Sequence, residues 1–121
     1  MRCGDRILTL QIWDTAGGER FQSLGRAFYR GADCCVIVFD CGRKPTFDKV
    51  EQYKLEFERQ TNDISETFPF ALVKNKTDIE ESDMNVVTTG QTENLCKKIF
   101  GPHCASFATS AKVNNKIKYF S

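Results

Sequence analysis

Long apolar runs are missing from this sequence, and so is an excess of charge of either sign. The longest uninterrupted apolar stretch is the six residues Cys34-Cys35-Val36-Ile37-Val38-Phe39, far short of the ~20 that a membrane-spanning helix needs. Lysine plus arginine number 17 against 16 aspartates and glutamates, a formal charge of +1, so no long-range field argues for nucleic acid or an acidic membrane surface as a partner. The six cysteines show no C-x-x-C spacing, and the start Met1-Arg2-Cys3-Gly4-Asp5-Arg6 lacks the apolar stretch of a signal peptide, which predicts reduced thiols in a cytoplasmic protein. Cys34 and Cys35 are neighbours on a predicted strand and point to opposite faces, as core residues rather than a redox pair. The single histidine, His103 beside Cys104, has no further ligand at the spacing of a metal site. The end Lys118-Tyr119-Phe120-Ser121 offers no cysteine for lipidation, so membrane association is expected to be indirect. Repeats, linkers and low-complexity segments are absent, and 121 residues suit one domain around one core.

What is present is an alternation of strand and helix patterns. Ile7 to Trp13 alternates, with Leu8, Leu10 and Ile12 on one side, and then turns at Asp14-Thr15-Ala16-Gly17-Gly18. Cys34 to Phe39 reads as a strand buried on both faces, ending at Asp40. Phe70 to Val73 and Ala105 to Ala108 read as two more strands. Between them Phe47, Val50, Tyr53 or Lys54, and Phe57 share a helical face behind Thr46 as N-cap, and Leu95, Cys96 and Ile99 do so behind Thr92. Phe21 to Tyr29 is a shorter helix. The order predicts an α/β fold with a parallel sheet and helices on both faces, whose ligands bind beyond the carboxyl ends of the strands.

Three loops at those ends carry distinctive residues. In Asp14-Thr15-Ala16-Gly17 the carboxylate can hold a magnesium ion through water, and Gly17 lets a backbone N–H approach a terminal phosphate. In Asn75-Lys76-Thr77-Asp78 a fixed carboxylate at Asp78 can accept from the N1–H and 2-amino group of guanine, donors that adenine lacks. Asn75 would tie loops together, and the stem of Lys76 would cover the base. In Thr109-Ser110-Ala111-Lys112 the N–H of Ala111 can meet the guanine O6, with Lys112 along the opposite face of the base. Each loop taken singly is also an ordinary polar turn; the three in chain order point to a purine nucleotide site.

With these residues in view, the chain resembles the Rab branch of the Ras-like small GTPases, nearest the late-endosomal and vacuolar type. The resemblance rests on Leu10 to Gly17, Glu19-Arg20-Phe21, Gln22-Ser23-Leu24 and Phe28-Tyr29-Arg30-Gly31-Ala32-Asp33-Cys34-Cys35. It runs over about residues 5–116 and fades between Glu80 and Pro102. The resemblance implies a P-loop NTPase-type domain that binds GTP or GDP with magnesium, works as a monomer in vesicle trafficking, and meets effectors and regulators through Trp13, Phe28 and Tyr29. For these three aromatic residues the plain alternative is core packing.

The sequence departs from that pattern in several places. It contains no G-x-x-x-x-G-K-[ST] loop to cradle phosphates, and the family's first strand and last helix have no counterpart, the latter being due to start at Asn114-Asn115-Lys116-Ile117. The expectation is therefore one small GTPase domain, 1–121, truncated at both ends. Losing four charge-assisted bonds of about 1.5–3 kcal/mol each leaves a base pocket unable to hold GTP tightly. The missing strand would also leave edges open and the chain marginal or prone to aggregate. Gly18 stands where the family has the glutamine that orients water, so no catalytic residue is assigned. Lys74 replaces a glycine before Asn75 and is expected to crowd the loop. The competing expectation is a non-enzymatic interaction module without nucleotide control.

Overall fold

A computed structural model describes residues 1–13, 29–61, 64–79, 85–112 and, by its backbone, 115–120. The loop at 14–17, Gly18, Phe28 and most of the helix expected over 21–29 lie outside these residues.

Four strands make the main sheet in the order β3-β4-β5-β6: β3 (Cys35–Asp40), β4 (Phe70–Asn75), β5 (Cys104–Ser110) and β6 (Asn115–Phe120). β3, β4 and β5 run parallel, and β6 returns antiparallel to β5. This is the α/β sheet that the alternation of strand and helix patterns called for. The register aligns Ile37 with Leu72 and Leu72 with Ser106, so Ile37, Phe39, Phe70, Leu72, Lys74 and Ser106 share one face and are buried there. Helices α1 (Lys44–Asp48), α2 (Val50–Thr61) and α3 (Thr89–Ile99) cover that face, packing Phe47, Val50, Tyr53, Leu95 and Cys96 around Phe39 and Leu72. A second, aromatic cluster joins Tyr29, Phe57 and Phe70, with Tyr29 edge-on to Phe57 at 5.7 Å.

The other face is more open. Among the described residues nothing covers Val36 and Val38, which stand 58 % and 55 % exposed. The run Cys34 to Phe39 is thus uniformly apolar in sequence but half wet in the fold, because periodicity cannot say which face finds a partner.

Helix starts also moved. Thr88, not Thr92, caps α3: its hydroxyl accepts from Gln91 N–H, and the Gln91 side chain accepts from Thr88 N–H at 2.9 Å. The pair satisfies two orphan donors at once, leaving Thr92 in the first turn, buried, with its hydroxyl on the Thr88 carbonyl. Thr46 lies inside α1 rather than before it. Its hydroxyl accepts from Asp40 N–H at 3.0 Å and lies 2.7 Å from the Arg43 carbonyl that it donates to, lashing the helix to the end of β3.

One strand expectation fails. Ile7 to Trp13 pairs only at its start, where β1 (Arg2–Cys3) and β2 (Arg6–Ile7) form a small antiparallel hairpin turning at Gly4, φ +60. Residues 8–13 have no regular structure, and Leu10 and Ile12 are exposed. Alternation favours a strand only when a neighbour offers ladder bonds. At the other end, where the family's last helix was due to start, residues 115–120 form β6, in keeping with Ile117, Tyr119 and Phe120, which are poor helix formers and good strand formers.

Candidate functional site

The carboxyl ends of β3, β4 and β5 meet at one edge of the sheet and bring together Asp40, the loop 75–79 and the turn 109–112. Parallel pairing dictates this convergence, since Asp40 is in register with Asn75 and β4 runs beside β5 up to Lys74 and Ala108.

Within this edge the two predicted base-recognition loops are bonded to each other. Ser110 Oγ donates to Asp78 Oδ1 at 2.8 Å. Thr109 Oγ1 donates to Asn75 Oδ1 at 3.1 Å. Thr77 donates twice to the Thr109 carbonyl, from its N–H at 3.1 Å and its hydroxyl at 2.9 Å. Asn75 and Ser110 therefore act as struts, and Asp78, Ala111 and Lys112 stay exposed. A buried hydroxyl on one carboxylate oxygen fixes the rotation of Asp78 while its exposed side faces solvent. Such an arrangement holds an exposed carboxylate acceptor at the sheet edge, tied to the strand end that leads into Ala111 and Lys112.

Lys76 sits at the apex with φ +63, the only non-glycine residue with positive φ among those described. A long side chain in this region costs about 1–3 kcal/mol, and the surroundings hold it there. Its carbonyl accepts from Ile79 N–H at 3.1 Å and from the Cys41 thiol at 3.2 Å. Its ammonium pairs with Asp40 Oδ2 at 2.7 Å. Asp40 was absent from the residues singled out in sequence; its only signal was position, at the carboxyl end of a strand of a parallel sheet. Its other oxygen accepts from Gly42 N–H at 2.9 Å. Partial burial pushes the Asp40 carboxyl up, but the bonds from Lys76 and Gly42, with Arg43 nearby, outweigh it and leave the group below its ordinary value.

Lys74 does not crowd the loop. Its stem runs into the helix-covered face, 3 % exposed, and its ammonium reaches Thr89 Oγ1 at 3.3 Å. It lines a cavity of about 10 Å³ with Thr92 and Ser106, at most one water in size.

Of the residues predicted to meet effectors, Trp13 is exposed, whereas Tyr29 is 7 % exposed and packed on Phe57. Tyr29 joins the aromatic cluster of Phe57 and Phe70. Phe28 lies outside the described residues, as do Asp14 and Gly17 at the phosphate end of the predicted site. No helix among the described residues is long and apolar enough to cross a membrane.

Comparison with known proteins finds similarity along nearly the whole chain. The Ras family model matches residues 1–120. The Ypt/Rab-type GTPase ypt71 of Schizosaccharomyces pombe is 45 % identical over 113 residues, 93 % of this chain and 54 % of that protein. Rab7 of Glycine max is 47 % identical over 93 % of this chain and 54 % of its own length. Ypt/Rab-type GTPase YPT7 of Saccharomyces cerevisiae is 47 % identical over 90 % of this chain and 51 % of its own. The chain thus spans about half the length of the curated relatives it matches. With two bonded loops at the sheet edge and a family match along nearly its whole length, the chain belongs to the Ras family, and its relatives there are of the Rab7 and Ypt7 type.

Proposed function

We propose that this chain carries the guanine-recognising part of a Rab-type GTP-binding domain that serves vesicle trafficking. The observation that carries the reading is the 2.8 Å bond from Ser110 to Asp78, which joins the two loops that must act on one base. Asp78 accepts from guanine N1–H and the 2-amino group, and Ala111 N–H donates to O6. The stems of Lys76 and Lys112 flank the ring faces, and Asn75 and Ser110 hold the walls. Adenine in this setting leaves a carboxylate facing no donor, which disfavours it.

Magnesium and the phosphates belong to the same reading, with Asp14 holding the ion through water and Gly17 admitting the terminal phosphate. The residues of this chain that the reading uses for the base are those of the 75–78 and 109–112 loops. Gly18 at the water-orienting position makes hydrolysis slow. Effectors and regulators of the Rab kind are the protein partners, meeting a surface that includes Trp13 and Phe28. Nucleic acid is not a partner. The working place is the cytoplasm and the late-endosomal or vacuolar surface, with the protein monomeric.

Titration of the labelled chain with millimolar guanosine and adenosine, followed by amide resonances, tests this. Guanosine should move Thr77, Asp78 and Ala111 while adenosine leaves them in place. Equal responses, or none to either nucleoside, would remove the guanine reading.

A further inference from the structure

We propose that Asp40 is a positioning residue for nucleoside binding, acting through Lys76 to hold the 75–78 loop in its binding shape. The inference deepens the guanine reading above and rests on it for its ligand.

Three observations combine. The Lys76 backbone is in the left-handed region, φ +63, where a lysine does not stay without support. The support is bonded at both ends of the residue: the carbonyl is held by Ile79 N–H and the Cys41 thiol, and the ammonium by Asp40 at 2.7 Å. Asp40 is itself fixed on a different strand. Its N–H bonds to Thr46 Oγ1 at 3.0 Å, its Oδ1 accepts from Gly42 N–H at 2.9 Å, and Cys41 N–H bonds to the Asn75 carbonyl at 3.1 Å. A side chain anchored in β3 thus stretches Lys76 across the end of the sheet. The stem then lies in one place before a base arrives, and binding does not have to order four methylenes.

The two carboxylate oxygens have separate duties, Oδ1 to Gly42 and Oδ2 to Lys76, so one substitution divides them. In Asp40→Asn the amide oxygen keeps the Gly42 bond, while the amide nitrogen turns a donor toward the Lys76 ammonium. Asp40→Ala removes both contacts and serves as the contrast.

The test is a guanosine titration of the whole chain and its Asp40→Asn, Asp40→Ala, Lys76→Met and Asp40→Asn/Lys76→Met variants, followed by amide resonances. Lys76 is more than half exposed, so the pair is partly screened and the expected loss in Asp40→Asn is about three- to tenfold. The double variant should bind no worse than Lys76→Met alone, which a merely structural role would not produce. In the ligand-free chain, Asp40→Asn should shift the Lys76 amide resonance while those of Gly42 and Thr46 stay. Unchanged guanosine binding in Asp40→Asn, or additive losses in the double variant, overturns the role of Asp40 and leaves the guanine reading standing. A wild-type chain that ignores guanosine overturns both.

Discussion

Replacing Asp78 by asparagine changes one atom of the proposed base pocket, and the structure says how. Ser110 Oγ donates to Oδ1 at 2.8 Å, and an asparagine oxygen accepts that bond equally well, so the loops stay joined. The nitrogen then takes the place of Oδ2, and a donor faces the 2-amino donor of guanine. Two charge-assisted bonds of about 1.5–3 kcal/mol each are at stake. Asp78 is exposed, and water weakens the contrast, so the lower end applies: a loss of about 3 kcal/mol, or roughly a hundredfold in affinity. Guanosine should then cease to move the Ala111 amide. Xanthosine has a carbonyl at the 2-position, an acceptor where guanosine has a donor. It should do the reverse, ignored by the wild-type chain and bound by Asp78→Asn. Saturation transfer to the nucleoside protons gives an independent readout. A variant with dispersed amide resonances that still prefers guanosine would refute the assignment of Asp78, as would one that gains nothing toward xanthosine.

Further outcomes follow from the packing and from one titration. Leu72 is wholly buried at the centre of the sheet, so Leu72→Ala should cost about 2–5 kcal/mol in urea unfolding, a large share of the ~5–15 kcal/mol that holds a domain of ordinary stability together. Thr88→Ala removes the capping box of α3 and should cost about 1 kcal/mol, read as a lower unfolding midpoint with an unchanged slope. Asp40 has a folded-state carboxyl held below its ordinary value. Its contribution is therefore present above the unfolded value of about 3.9 and lost as pH falls below it. Asp40→Asn should flatten the acid limb of stability against pH, and an identical limb would count against the Lys76 pair. Val38→Lys, on the uncovered face, should change stability by less than about 0.5 kcal/mol while reducing any concentration-dependent association seen by sedimentation.

The sequence was most legible where chemistry and topology coincide. Asn75, Asp78, Ser110 and Ala111 could be placed at one edge because parallel strands put the ends of successive strands side by side, and the loops they occupy are bonded together. Legibility fell wherever the answer depended on a partner rather than on local pattern. Residues 9–12 alternate as well as any strand in the chain yet belong to no strand among the described residues, since alternation describes a face and not a neighbour. Thr92 and Thr46 are good caps by type, but Thr88 with Gln91 three residues on offers two bonds where Thr92 offers one.

Asp40 shows the same limit from the other side. Nothing in its neighbours Phe39 and Cys41 marks it, and it takes meaning from a lysine 36 positions later that meets it only because β3 and β4 are in register at Asp40 and Asn75. A residue of this kind supports a ligand by shaping a second residue, so its signal lies in the pairing of strands. A fixed Lys76 and a fixed Asp78 differ in what they require of the fold. The carboxylate needs one hydroxyl from the next strand. The lysine needs a left-handed backbone, a thiol, an amide and a carboxylate from two elements at once. Loss of any one leaves the others to hold a conformation that the chain would otherwise abandon. Guanine recognition at this edge should therefore fail first at Lys76 as the domain is destabilised, with the Asp78–Ser110 bond persisting longer, and amide exchange at Lys76 and Ser110 along a urea series would separate the two.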